Sequence, residues 1–480
     1  MSLAIDSPEA PARNWRLWLI VAVGALYAIL VLRVTLHAQD EAGGMHLVFP
    51  LVLALLPIGA AIAFRYPLIF PFVLYVALIP FDALLQVAGG ATIARIVGLA
   101  LAGSLICRML ILRRVLVPPP ALLLWAALLL YAALTMLWSP DPAASNQVMS
   151  AMLTLFLVMT LLAMYPASPR EFAIGIGSIV PCGMATAVYA LHQFSHGSIS
   201  DVDNGRLVLS TASGYSLDPN YFALSFIIPL GIALAGIFYV RNLFVRLVCI
   251  VAVPLMMFAV FVTGSRGGAI GALVCLVYFA VRSRYRIQAI ALGIVALGGS
   301  VFVPAMWDRI LNDPGGGSGS GRTYIWATGM HSFGDHWLFG SGVGSYQFNY
   351  DLNFLQVYQR VFQGWSRPGH SIFFVSLNDF GVLGLVLVFA CWYFTFRQMD
   401  IIPKTSWLYG LRLACEGLVL GYFVAAFFFD PFYVKFVWLA TTLPFMIRNM
   451  YAPRAFGVGA RVPGGEAPAR GAPAFSLRGF

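Results

Sequence analysis

Pro120–Trp138 and Tyr221–Val240 run for 19 and 20 residues without one charged side chain. Stretches of that length cross the hydrocarbon core of a bilayer as helices. Inside lipid only helices and closed barrels can satisfy their own backbone. Similar apolar runs, parted by short polar breaks, recur along the 480-residue chain. They read as spans at 15–34, 46–64, 67–88, 93–112, 120–138, 146–165, 172–193, 221–240, 243–263, 267–282, 287–306, 371–395, 409–429 and 433–448. The pair 46–64 and 67–88 is also compatible with a re-entrant segment. The expected fold class is an all-α polytopic membrane protein with about 12–14 transmembrane helices. Composition closes the alternatives: 60% of residues are hydrophobic and 10% are charged, against roughly 25% charged in soluble domains. A water-soluble enzyme and a disordered chain are both excluded.

The formal net charge is +10, but its carriers are scattered between apolar runs, with no basic stripe of the kind that grips nucleic acid. Of the 29 Lys and Arg residues, 20 fall in alternate breaks when the N-terminus is placed in the cytoplasm. By the positive-inside rule both termini are then cytoplasmic. The six cysteines all lie within apolar runs without metal-ligand spacing, so neither a disulfide nor a metal site is expected.

The cations that oppose this rule are the informative ones. Arg33, Arg95, Arg206, Arg266, Arg309, Arg322, Arg360, Arg367 and Lys435 fall on the outer side, and five of these nine lie between 266 and 367. That stretch contains the long polar break 307–370, opened by the flexible run Gly315–Gly321. The domain plan is a cytoplasmic N-terminus (1–14), helices with short loops (15–306), one large periplasmic loop (307–370), C-terminal helices (371–448) and a disordered cytoplasmic tail (449–480). The glycine run is not a phosphate-binding loop, because no Lys-Ser/Thr closes it.

Thr263-Gly264-Ser265-Arg266-Gly267-Gly268 joins two apolar runs on the outer side. Glycines there permit a tight turn with exposed N–H groups. A guanidinium binds phosphate oxygens bidentately and stays charged. The plain alternative is a snorkelling arginine. Arg322 follows the glycine run at a helix start and reads either as a second phosphate clamp or as a surface arginine. His370 follows Arg367-Pro368-Gly369 and opens the run Ser371–Phe396. This places it in the first turn of a transmembrane helix, where the helix dipole and Arg367 keep its ring neutral, as a general base requires. The plain alternative is an interfacial cap. Asp218 suits the N-cap of the next helix, with Pro219 in its first turn. Arg206, Asn220, Arg360 and Arg367 complete the candidate substrate contacts. Glu416, four residues after Arg412, reads as a local ion pair.

The ordered set Gly264-Ser265-Arg266-Gly267-Gly268, Arg322-x3-Trp326, Gly340-x-Gly342-x-Gly344 and His370-x8-Asp379-x-Gly381-x2-Gly384 resembles the O-antigen ligase and polymerase superfamily. The resemblance covers about residues 205–400. It implies a GT-C-like helical core and an inverting glycosyltransferase that needs neither metal ion nor cofactor. Such an enzyme moves a glycan from a polyprenyl-diphosphate carrier to an acceptor hydroxyl on the periplasmic face of the bacterial inner membrane. The acceptor is a second glycan, lipid A–core or a protein side chain. By the resemblance Arg266 and Arg322 hold the diphosphate and His370 accepts the acceptor's proton. The chain departs from many relatives in carrying Ser371 after the histidine and Asp379 where a glutamate is common. A transporter or flippase of lipid-linked glycans is the alternative from another class. Such proteins show broken helices in paired halves and polar groups at mid-membrane, whereas the unusual polar residues here gather on one side.

Overall fold

The computed structural model describes residues 48–86, 92–200, 206–210, 216–303, 307, 321–357, 367–430 and 432–453. The chain divides into two units, residues 1–65 and 66–480. The described part of the first is one apolar helix, α1 (Val48–Arg65), with Pro57 inside it. The expected span 15–34 lies outside the described residues.

Among the described residues the second unit is mainly helical, with two pairs of two-residue strands, Ile199–Ser200 with Arg206–Leu207 and Leu209–Ser210 with Ser216–Leu217. Its first helices are α2 (Phe72–Leu78), α3 (Ile93–Leu112), α4 (Ala121–Thr135), α5 (Pro142–Met164), α6 (Pro169–Gly177) and α7 (Ile179–Ser195). After the strands come α8 (Pro219–Ser225), α9 (Ile227–Tyr239), α10 (Leu243–Val262), α11 (Arg266–Arg282) and α12 (Arg286–Gly298). The last five are α13 (Arg322–Gly329), α14 (Tyr346–Val357), α15 (Ile372–Arg397), α16 (Tyr409–Ala425) and α17 (Lys435–Tyr451).

Among the described residues seven helices are long and apolar enough to cross a membrane: Ile93–Leu112, Pro142–Met164, Pro169–Ser195, Pro219–Tyr239, Leu243–Val262, Ile372–Ile401 and Tyr409–Phe428. Three shorter apolar helices, Phe72–Phe81, Ala121–Thr135 and Arg286–Phe302, accompany them. The protein is an all-α polytopic membrane protein. Side-chain caps fix several helix starts. Thr92, Asp141, Ser168, Asn242 and Ser265 each accept from a backbone N–H two or three residues on, meeting donors that a helix leaves open.

Pro219–Tyr239 stands at the centre, 89% buried, whereas Ile93–Leu112 is 28% buried and borders the bundle. An apolar helix buried on every side needs close neighbours, and small residues supply the approach. A Cβ on Gly231 would lie 2.9 Å from Leu418, and one on Gly421 would lie 2.6 Å from the Gly271 carbonyl. Without a hydrophobic drive between helices in lipid, such contacts carry the packing.

The largest departure from the sequence reading lies in α15. The run Ser371–Phe396 reads as one straight span, but the backbone breaks at Gly381 (φ 67°, ψ −168°). Phe373 and Phe389 would sit about 24 Å apart along a straight helix. Their ring centroids are 5.5 Å apart. Ile372 likewise shares a small apolar cavity with Val388, Cys391 and Trp392. The element is a helical hairpin, with a short limb 372–380 folded back against a long limb 382–397.

Such a turn exposes carbonyls at the end of one limb and N–H groups at the start of the other. The loop 337–344 and Tyr131 meet groups of both sets. Ser341 N donates to Asn378 O (2.8 Å), Gly342 N to Asp379 O (3.0 Å) and Tyr131 Oη to Phe380 O (2.9 Å). In the other direction Val382 N donates to Trp337 O (2.9 Å) and Leu383 N to Leu338 O (3.3 Å). A Cβ on Gly340 would strike the Asp379–Phe380 backbone, and one on Gly381 would strike the Leu338 carbonyl. The spaced glycines of both segments therefore make one backbone-to-backbone contact.

Candidate functional site

One end of the second unit collects the candidate residues. Ser265 caps α11, its Oγ accepting from Gly268 N at 3.1 Å, and this places Arg266 in the first turn. The preceding Gly264 has φ +63°, a backbone state that suits glycine. Arg206 packs over it and is 7% exposed. Its Nε donates to Thr263 O (2.9 Å) and its Nη2 to Asn220 Oδ1 (3.1 Å). Arg206 and Asn220 thus join the strand, the start of α8 and the turn before Arg266. Asp218 caps α8 as its sequence position suggests, accepting from Asn220 N at 2.7 Å.

Arg322 opens α13 after Gly321, whose φ of +77° turns the chain into the helix. Its guanidinium lies over the Phe428 ring at 5.5 Å, a cation–π distance. A Cβ on Gly267 would meet Phe428 at 3.1 Å. Phe428 therefore stands between the start of α11 and Arg322, and it brings the two cationic helix starts to one place.

His370 precedes the short limb of the hairpin, in the left-handed region at φ +45°. A non-glycine residue there is strained, and surrounding contacts must hold it. Those contacts come from α13 and α14. Trp326 Nε1 donates to Gly369 O (2.8 Å), and the Trp326 ring stacks on Phe374 at 4.6 Å. Tyr346 Oη donates to Ile325 O (2.9 Å). Burial pushes the His370 imidazole below its ordinary range, Arg322 and Arg367 add to that, and Asp218 opposes it. These shifts place Arg322, Arg367 and Asp218 within electrostatic reach of the ring. The neutral imidazole read from sequence agrees in direction, although its leading cause is burial and not a helix dipole.

Of the candidates, Arg206, Asn220, Arg266, Arg322, Arg367 and His370 fall at this end, and Arg360 lies outside the described residues. Glu416, which pairs with Arg412 (2.7 Å) and accepts from Tyr278 Oη (2.7 Å), sits midway along α16 and outside this cluster.

Asn378, Asp430, Tyr221 and Tyr433 escaped the sequence reading, whereas Asp379 and Lys435 figured in it by position alone. Asn378, 2% exposed, donates to Gly329 O (2.9 Å) and accepts from Asn349 (3.0 Å) and Ser341 (3.1 Å). It ties the hairpin to the C-terminus of the helix that carries Arg322. Asp379 binds Gly344 N (2.7 Å) and Ser345 Oγ (3.2 Å), so its carboxylate anchors the glycine loop. Asp430 follows Phe427-Phe428-Phe429, one acid among aromatics, which was a signal in the sequence. Burial pushes its carboxyl up to about 7, against a hydrogen bond from Phe432 N. Tyr221 and Tyr433 share a hydrogen bond at 3.2 Å nearby, and Lys435 pairs with Asp82. Among the described residues no group of three or more His, Cys, Asp or Glu side chains is placed to hold a metal ion.

Residues 251–389 match the family described as O-antigen ligase. Over this segment, under a third of the chain, the protein is similar to enzymes of surface-polysaccharide assembly. The matched residues include Arg266, Arg322 and His370. No curated protein matches the chain.

Proposed function

We propose that the protein is a metal-independent, inverting glycosyltransferase of the membrane. It transfers a glycan from a polyprenyl-diphosphate carrier to an acceptor hydroxyl on the periplasmic face, as an O-antigen ligase or a surface-polysaccharide polymerase. The observation that carries this reading is the strained, half-buried His370 beside Arg322, with the cationic start of α11 joined to Arg322 through Phe428.

The chemistry follows from these groups. The neutral imidazole of His370 takes the proton of the acceptor hydroxyl as its oxygen forms a bond to the anomeric carbon. The bond from that carbon to the phosphate oxygen breaks, and its electron pair leaves on the diphosphate. Arg266 and Arg322 neutralise that growing charge. Arg206 and Asn220 hold the turn ahead of Arg266, and Arg367 adds positive charge beside His370. Attack opposite the leaving group inverts the anomeric centre. The site needs a bilayer donor, lipid-facing helices and one accessible side. This fits an inner-membrane protein with cytoplasmic termini.

The test uses purified protein in liposomes, in EDTA, given a polyprenyl-diphosphate oligosaccharide. Parallel samples receive more donor or a lipid A–core acceptor. A new glycosidic product is expected, and the acceptor consumed separates polymerase from ligase. Movement of donor across the bilayer with no new bond would overturn the reading in favour of transport.

A further inference from the structure

The turn of the hairpin carries three large aromatic rings that the candidate site does not use. Trp138 Nε1 donates to Gly340 O (3.0 Å), and the Phe339 carbonyl accepts from Tyr131 Oη (3.1 Å). The Trp337 carbonyl accepts from Val382 N. One backbone contact thus holds Trp138, Trp337 and Phe339 at the level of Gly381. Their exposures are 42%, 54% and 53%.

The surface below them is apolar as well. Leu130, Leu134 and Leu137 on and after α4, and Leu383 and Val386 on the long limb, are all exposed. Water does not account for so many large exposed apolar side chains on two neighbouring elements, and lipid does. Height agrees with this. The 15 residues of α4 span about 22 Å and the 16 of the long limb about 24 Å. Both fall short of the roughly 30 Å hydrocarbon core. A cap of aromatics above them lengthens the apolar face toward the boundary. Rings with an apolar body and a polar edge favour the interface between acyl chains and headgroups.

We propose that Trp138, Trp337 and Phe339 seat the hairpin turn in the headgroup region of the bilayer. The occupant of this surface is lipid, and the glycine loop 337–344 is a re-entrant foot and not a free aqueous loop. The seat fixes a height for His370. The nine-residue short limb rises about 12 Å from Ile372 to Phe380, so the histidine lies below the plane of the rings.

The experiment places a spin label at Phe339→Cys in the full chain with Cys107→Ser and Cys182→Ala, reconstituted in phosphatidylglycerol–phosphatidylethanolamine liposomes. Collisions with oxygen, which partitions into lipid, are compared with collisions with a water-soluble nickel chelate. Oxygen contact several-fold above nickel contact, at a depth between phosphates and first acyl carbons, is the expected result. Nickel contact equal to that of a label on a water-exposed loop would overturn the proposal. So would shielding from both agents, which would mean that protein covers the patch. If the labelled chain does not fold, benzoylphenylalanine at Phe339 replaces it. Lipid adducts after illumination are then expected, and their absence would overturn the seat. None of these readings depends on glycan transfer.

Discussion

Phe373 and Phe389 are sixteen positions apart in one apolar run and 5.5 Å apart ring to ring. That contact is possible because Gly381 reverses the chain. The reversal brings the segment carrying His370 back against the bundle, with α13 packed alongside, and the glycine loop closes the turn. The hairpin is thus a scaffold that holds His370 in its left-handed backbone state beside Arg322.

Alanine at Gly381 should collapse this arrangement. The position has φ +67° and ψ −168°, a region almost reserved for glycine, and forcing another residue into it costs about 1–3 kcal/mol. A Cβ would also press on the Leu338 carbonyl. We expect a lower unfolding temperature in detergent and loss of transfer. A Gly381→Ala variant as stable as wild type would contradict the hairpin.

Asn378→Leu removes a donor to Gly329 O and an acceptor for Asn349 and Ser341. Each buried polar group left alone costs about 1–3 kcal/mol. The expected outcome is a destabilised protein with faster hydrogen exchange across 322–329 than across 243–262. Equal exchange in both segments would show that Asn378 does not hold the Arg322 helix.

The pH profile of transfer should report His370. Burial and Arg322 hold its imidazole below the ordinary range, so the basic form persists at pH values where a free histidine is protonated. The acid limb of kcat is expected below about 6.5. Removing a neighbouring positive charge raises the histidine's pKa, so Arg322→Gln should move that limb upward in pH besides lowering the rate. An unmoved limb would separate Arg322 from the base.

Asp430 gives a stability prediction of defined sign. Its carboxyl is raised to about 7 in the fold, against about 3.9 when unfolded. The folded state therefore binds more protons between those values, and stability falls as pH rises from about 4 to about 7. Asp430→Asn should flatten that slope in melts across this window. An unchanged slope would place the carboxyl in a solvated environment.

The bundle was legible because apolar runs and capping residues are local. Asp218 and Pro219 announced a helix start, and the glycines around Arg266 a tight turn, and the structure has both. Arg412–Glu416 was legible for the same reason, as an i, i+4 pair. The hairpin was not. Ser371–Phe396 is helix-compatible throughout, and glycines such as Gly381 and Gly384 in an apolar helix are ordinary. Only the carbonyls and N–H groups of 337–344, some forty residues upstream, make the reversal possible. Phe428 was hidden similarly, since its role depends on where Gly267 and Arg322 meet in space. The spaced glycines were visible as a pattern, but their shared contact was not.

The most direct test of the central claim follows transfer by His370→Ala beside wild type in the same liposomes, with donor binding measured on both. The account predicts a correctly folded variant that binds the polyprenyl-diphosphate donor as wild type does and forms product at least about a hundredfold more slowly, as befits loss of a general base. Undiminished transfer by the folded variant would contradict it and leave His370 as a structural residue of the hairpin.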